Sequence, residues 1–228
     1  MKNCIVLSGQ YRTFDKTWKN IRNFIDLNLL DVYCHLWYEN DEQVQNIKER
    51  LEPKKLLVEK YEDYHSQFET MENHIRSANP KGPNQDRLSG NASMNFSRKQ
   101  AYKLIDKEYN NIVYCRYDIQ FHEIFRLGEI ESVVTPLEES YNIISDIFAV
   151  IPSEYAKQYF LYDNYVNLHT TQFESEFENW LRYTKQYGDE NVRIHMYERY
   201  CPHMMLLRNL FSHKVPLQQV DLPLQIQR

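Results

Sequence analysis

Ile112-Val113-Tyr114-Cys115-Arg116-Tyr117-Asp118 is the stretch on which the fold of this chain turns. Four apolar or aromatic residues in a row suit a strand covered on both faces, and the charges of Arg116 and Asp118 arrive where such a strand leaves the core. Cys4-Ile5-Val6-Leu7 is a second run of this kind, stopped by Ser8-Gly9. Behind it Trp18, Ile21, Phe24, Ile25 and Leu29 recur at three- and four-residue spacing, with Lys16, Lys19, Asn20 and Arg22 on the opposite side, which predicts an amphipathic helix. Residues 31–38 and 54–61 are two further strand candidates, separated by a helical charge pattern over 41–51 that ends before Pro53. Strand alternating with helix predicts an α/β fold whose central sheet is mainly parallel and flanked by helices.

Downstream, residues 77–90 are rich in Asn, Pro and Gly and predict a loop. Met94, Ala101, Leu104 and Ile105 fall on repeating turns, so a helix is expected over 91–109, closed by Asn110-Asn111. Residues 141–151 are strand-like although Asp146 interrupts them, and Pro152-Ser153 opens a helix over 154–162. Phe173, Phe177, Trp180, Leu181 and Tyr183 mark another helix, and 202–211 a Met- and Leu-rich one. Residues 215–228 read as a last strand or extended tail.

The composition narrows the functions available. With 228 residues, 42% apolar, the chain can bury a sizeable core in one compact domain. A net charge of −5 argues against a nucleic-acid partner held by bulk positive potential. The first apolar run is shorter than the roughly 7–15 residues of a secretory core, and no stretch approaches the about 20 residues that span a bilayer, so neither a leader nor a membrane span is expected. Cys4, Cys34, Cys115 and Cys201 form no C-x-x-C pair and read as buried thiols of a reducing, cytoplasmic compartment. The absence of Gly-x-Ser-x-Gly, Walker and Gly-x-Gly-x-x-Gly patterns removes support for a hydrolase, a P-loop kinase and a dinucleotide oxidoreductase.

In an open α/β sheet ligands bind beyond the carboxyl ends of the strands, which singles out three stations. Ser8-Gly9-Gln10-Tyr11-Arg12 lies between the first strand and helix: the glycine lets backbone N–H groups approach an anion, and Arg12 offers a bidentate phosphate contact. Its bland alternative is a plain turn with a solvated arginine. Arg116-Tyr117-Asp118 suits a divalent ion, a diphosphate or a ribose, with a simple Arg–Asp ion pair as the alternative. Asp146, set among apolar residues, must be paired or face a cavity; it can grip a sugar hydroxyl or pair with Arg98 or Arg116. His35 reads as a satisfied core or rim histidine, whereas His195 and Glu198 precede the 202–211 helix, where they can enter a cleft as base or metal ligand.

The order of Ser8-Gly9-Gln10-Tyr11-Arg12-Thr13-Phe14, Asp31-Val32-Tyr33-Cys34-His35-Leu36-Trp37, the Arg98 helix leading into Arg116-Tyr117-Asp118, and Ser145-Asp146-Ile147-Phe148-Ala149 resembles a group of microbial and viral glycosyltransferases. The resemblance implies a GT-A-like, Rossmann-like fold. It also implies one glycosyltransferase-like domain over 1–228, with a nucleotide-binding half over 1–121 and an acceptor-side half over 122–228. The implied partners are a nucleotide-sugar donor and a glycan or other hydroxyl acceptor. Ser8, Gly9, Gln10, Arg12, Arg98, Arg116 and Asp118 would then hold the donor diphosphate, and Asp146 or Glu198 would take the acceptor proton. Where an Asp-x-Asp is expected, the chain has Arg116 in place of the first acid. Asp118 is left as the ligand of a Mn²⁺ or Mg²⁺ ion, unless an arginine neutralises the diphosphate instead. A non-catalytic nucleotide- or carbohydrate-binding module is the alternative, and a sulfotransferase a weaker one, because Ser8 to Arg12 is poor in the Ser, Thr, Lys and Gly of such phosphate loops.

Overall fold

A computed structural model describes residues 2–78, 88–136, 146–161, 171–184 and 202–227. β1 (Asn3–Gly9), α1 (Phe14–Asn28), β2 (Asp31–Trp37), α2 (Asp41–Leu51) and β3 (Lys55–Glu59) follow the expected alternation. Then come a 3-10 turn (Tyr61–Tyr64), α3 (His65–Ala78), α4 (Leu88–Lys103), β4 (Asn111–Cys115), β5 (Ile119–Phe121), β6 (Val133–Pro136) and β7 (Phe148–Pro152). A 3-10 turn (Ser153–Tyr155), α5 (Ala156–Phe160), α6 (Thr171–Thr184), α7 (Pro202–Ser212), β8 (Leu217–Val220) and β9 (Leu224–Ile226) complete the described residues.

Seven strands form one sheet in the order β3-β2-β1-β4-β7-β6-β8. β3, β2, β1 and β4 run parallel, β7 is antiparallel to both β4 and β6, and β8 is parallel to β6. The fold is therefore α/β and Rossmann-like, a mainly parallel sheet flanked by helices. Both faces are covered, which is why the strands read as unbroken apolar runs. Cys4, Val6, Tyr33, Ile112, Tyr114 and Ala149 pack against helices α4 to α7, while Ile5, Leu7, Cys34, Leu36, Val113 and Cys115 pack against α1 and α2. No helix among the described residues is long and apolar enough to cross a membrane. Cys4, Cys34 and Cys115 are buried free thiols, as expected; burial pushes that of Cys34 up to about 12, and Cys201 lies outside the described residues.

Several elements depart from the sequence expectation for local reasons. The helix expected over 91–109 starts at Leu88 and ends at Lys103. The chain tightens there through Leu104 N–H to the Ala101 carbonyl and Ile105 N–H to that of Tyr102, then runs extended so that the Tyr109 hydroxyl reaches Asp31 at 2.7 Å. The polar and aromatic residues after β3 form α3, which turns Phe68 into a nest of rings with Trp37 and Phe96. Residues 77–90, expected as a loop, are helical at both ends, and 79–87 lie outside the described residues. Asp146 and Ile147 sit in a bend ahead of β7, with 141–145 outside the described residues, and the helix expected over 154–162 is a 3-10 turn leading into the short α5. The tail is two strands, because Pro223 lacks the donor to continue a ladder; β9 instead pairs antiparallel with β5 in a separate two-stranded sheet.

Candidate functional site

Register brings the first two stations together. Adjacent parallel strands β1 and β4 align Leu7 with Cys115, so Arg116, the first residue after β4, comes beside Ser8, which is still paired with β2. Gly9 follows with φ +123°, a conformation costly for any residue with a Cβ, and Arg12 has φ +45°. These two turns fold the 9–13 segment back over the sheet edge. Tyr11 is its buried anchor: its hydroxyl donates to Asp15 at 2.7 Å and accepts from Asn46 at 3.0 Å. α1 is stitched to the exit of β4 by the Thr17 hydroxyl, which donates to the Tyr117 carbonyl at 2.6 Å.

Asp118 lies at the centre. Its side chain is 2% exposed and receives two guanidinium groups. Arg116 grips it in a fork, Nε to Oδ1 at 3.0 Å and Nη2 to Oδ2 at 2.5 Å, and Arg12 Nη1 donates to Oδ2 at 3.1 Å. Burial would lower the pKa of Arg116, but the charge of Asp118 and its hydrogen bonds outweigh this and raise it, with Tyr114 and Asp146 adding to the effect. The ion-pair alternative weighed for this station is therefore present, and the pair also forms part of the wall of a cavity. That cavity, about 370 Å³, is lined by Arg12, Thr13, Arg116, Asp118, Ile226 and Gln227.

The last two of those residues come from the other end of the chain. Gln227 N–H donates to the Asp118 carbonyl at 2.8 Å, and its own carbonyl accepts from the Thr13 hydroxyl at 2.8 Å, so the segment after β9 ties both sides of the site together. Sequence reasoning missed Thr13, Ile226 and Gln227. The signal was present in the alternation of Leu222, Leu224 and Ile226 with polar glutamines, which marks a strand with one buried face.

The remaining candidates divide. Ser8 is buried on the α4 side of the sheet, and among the described residues neither its hydroxyl nor that of Tyr114 has a hydrogen-bond partner of good geometry. Arg98, on α4 and 1% exposed, donates to Asn95 at 2.7 Å and lies 5.7 Å and 5.2 Å over the rings of Tyr114 and Tyr159. Asp146 is buried beside this group: the carbonyl of its neighbour Ile147 accepts from Arg116 N–H at 3.2 Å, and its charge acts on Arg116 and Tyr114. Gln10 is exposed, and its Oε1 accepts from Arg12 Nε at 3.3 Å. Glu198 and His195 lie outside the described residues. His35 is the satisfied core histidine expected, with Nδ1 2.6 Å from the Ser97 hydroxyl and Nε2 2.8 Å from Glu59.

The donor set at Asp118 does not fit a divalent cation. Mg²⁺ and Mn²⁺ need hard oxygens turned toward the ion, and here both carboxylate oxygens are turned toward guanidinium groups. Among the described residues no group of three or more His, Cys, Asp or Glu side chains is gathered for a metal. The arrangement is suited to an anion: two arginines at a strand exit, beside a turn opened by Gly9 at positive φ.

No protein-family model and no curated protein matches the chain. Solved glycosyltransferases are among the structures it is similar to. The apo form of mouse xyloside xylosyltransferase 1 matches with a TM-score of 0.44 and 8% identity over 96% of this chain and 85% of that one. The glycosyltransferase GlyE of Streptococcus pneumoniae TIGR4 matches with a TM-score of 0.43 and 11% identity over 96% of this chain, and in its apo form with 0.41 and 10%. The chain spans less than half the length of GlyE, 46% and 45% in the two structures.

Proposed function

We propose that this chain is a glycosyltransferase, GT-A-like, that moves a sugar from a nucleotide-sugar donor to an acceptor hydroxyl. The observation that carries the reading is the convergence of Arg12 and Arg116 on Asp118 at the carboxyl edge of β1 and β4, against a cavity. In the reaction the acceptor oxygen bonds to the anomeric carbon as the bond from that carbon to the diphosphate oxygen breaks. Negative charge grows on the departing diphosphate, where cationic donors lower the barrier. Arg12 and Arg116 supply those donors from the cavity wall, and Arg98 adds positive potential from behind β4. If the displacement inverts configuration, a carboxylate on the acceptor side, opposite the departing diphosphate, takes the acceptor proton; Asp146, buried within charge range of Arg116, and Glu198, outside the described residues, are the two candidates.

The rival reading, a binding module without turnover, is favoured by the lack of an acid at position 116. Calorimetry with a panel of nucleotide-sugars, followed by assay of slow donor hydrolysis, separates the two. Binding with hydrolysis supports the transferase, binding without it supports the module, and failure to bind any member of the panel removes both.

A further inference from the structure

We infer that Asp118 is a positioning counter-ion and that Arg12 and Arg116, held by it, bind the donor diphosphate without a divalent cation. This rests on the transferase reading and deepens it at the same site.

The direction of each donor carries the inference. Arg116 spends Nε and Nη2 on Asp118, and Arg12 spends Nη1 on Asp118 and Nε on Gln10. Nη1 of Arg116 and Nη2 of Arg12 make no hydrogen bond among the described residues, and both side chains line the cavity. A guanidinium offers five N–H donors in a fixed fork, so fastening one edge to a carboxylate aims what is left instead of consuming it. Asp118 thus acts as a jig. Held on a single carboxylate, the two forks face one neighbourhood, which suits the several oxygens of a diphosphate better than a single phosphate.

Charge points the same way. With Arg98 and Asp146 behind β4 counted in, three guanidinium groups face two buried carboxylates and the surroundings stay net positive, and a cation brought to Asp118 would have to displace an arginine from a group 2% exposed. An anion entering the cavity meets no such competition. The backbone on either side of the clamp is also tied together: Thr13, next to Arg12, is bonded to Gln227, and Gln227 is bonded to Asp118. Pre-organised donors bind without a further ordering cost.

Titrating the full chain with inorganic pyrophosphate by calorimetry, once in EDTA and once with Mn²⁺, is the test. The expected result is binding in EDTA with an affinity within about twofold of that in Mn²⁺. Arg12→Gln, at a half-exposed side chain whose loss leaves Asp118 still paired with Arg116, should weaken binding in EDTA by about tenfold or more, the loss of one charge-assisted donor set. Asp118→Asn should leave pyrophosphate affinity in EDTA nearly unchanged, because loss of a repelling charge offsets the ordering cost that the anchor had spared. With a donor found by the panel it should lower kcat and leave KM little changed, since loosened forks bind but no longer aim. Pyrophosphate binding that appears only with Mn²⁺ overturns the clamp while leaving the transferase reading intact, and so does an unaffected Arg12→Gln. No binding in either condition brings down both. If Asp118→Asn does not fold, the cation comparison and Arg12→Gln still decide.

Discussion

His35 stands on β2 abreast of Ser8 on β1, wholly buried, and links three elements that shape the site's α4 side. The Glu59 carboxylate can only accept, so Nε2 carries the ring proton and donates to it, while Nδ1 accepts from the Ser97 hydroxyl. Around it lie Glu59 from β3, Tyr64 donating to the other Glu59 oxygen, Ser97 from α4, and the rings of Trp37 and Phe96. Burial pulls its pKa below 6.5, against the opposing effect of Glu59. In the unfolded chain the imidazole takes up a proton near its ordinary value, and in the folded chain it does so only at lower pH. This part of the stability is therefore present above about pH 6.5 and is lost as pH falls toward the folded value. Between about pH 7.5 and about pH 5.5 the loss is at most about 1.4 kcal/mol, the limit for a group that stays neutral when folded. His35→Asn removes it. Urea unfolding of both proteins at the two pH values gives the comparison: the variant starts about 1–3 kcal/mol lower from lost hydrogen bonds, and the gap narrows in acid. A gap that does not change with pH would refute the neutral, buried assignment.

Gly9→Ala should cost about 1–3 kcal/mol through backbone strain alone, because φ is +123° and a Cβ there meets no atom; thermal unfolding measures it. Asp31 accepts from Tyr109 and receives Lys54, Lys107 and Lys2, which together hold its carboxyl well below the usual range although burial, the largest single influence, pushes it up. Its contribution is present above about pH 3.8 and lost as pH falls further, so Asp31→Asn should lose about 1–3 kcal/mol at neutral pH and draw level with the native chain in strong acid, read by urea midpoints. Ending the chain at Leu222 deletes β9 and both Gln227 bonds, and should weaken pyrophosphate binding by about tenfold while leaving the helical circular dichroism signal unchanged; unaltered affinity would mean that the strand has no part in the site.

Much of the fold was legible because its signals are local. Cys4 to Leu7 and Ile112 to Cys115 are apolar without interruption because each strand is covered on both faces, and the α1 stripe is visible from spacing alone. The convergence of Arg12 and Asp118 was legible for a related reason, since both stand where an apolar run stops. What escaped depends on partners far away in sequence. Lys103 ends α4 because Tyr109 must reach Asp31, and β9 exists because β5 offers it an edge. Short strands such as Ile119–Phe121 carry too few residues for alternation to separate them from a loop. The pairing of Arg116 with Asp118 was legible as an alternative, but the arrival of Arg12 on the same carboxylate was not, because it depends on how the turn after β1 lies against the exit of β4.

The pairing of Arg116 with Asp118 changes what the substitution of an arginine for an acid means. A strand exit with two carboxylates is doubly negative and reaches neutrality only by recruiting a divalent ion. An exit with Arg116 folded onto Asp118 is already neutral, so the change of residue supplies within the chain the same two units of charge that an ion would bring. Arg12 then lies on top of a neutral pair instead of a negative one, and its full charge is available to a ligand. An ion held by ligand oxygens can leave with the product, whereas a side chain anchored at a carboxylate 2% exposed stays in place. If the site holds a diphosphate as proposed, its release must come from loosening the contacts around the arginines. The contact closest to hand is the one that crosses from Thr13 through Gln227 to Asp118, near the end of the chain.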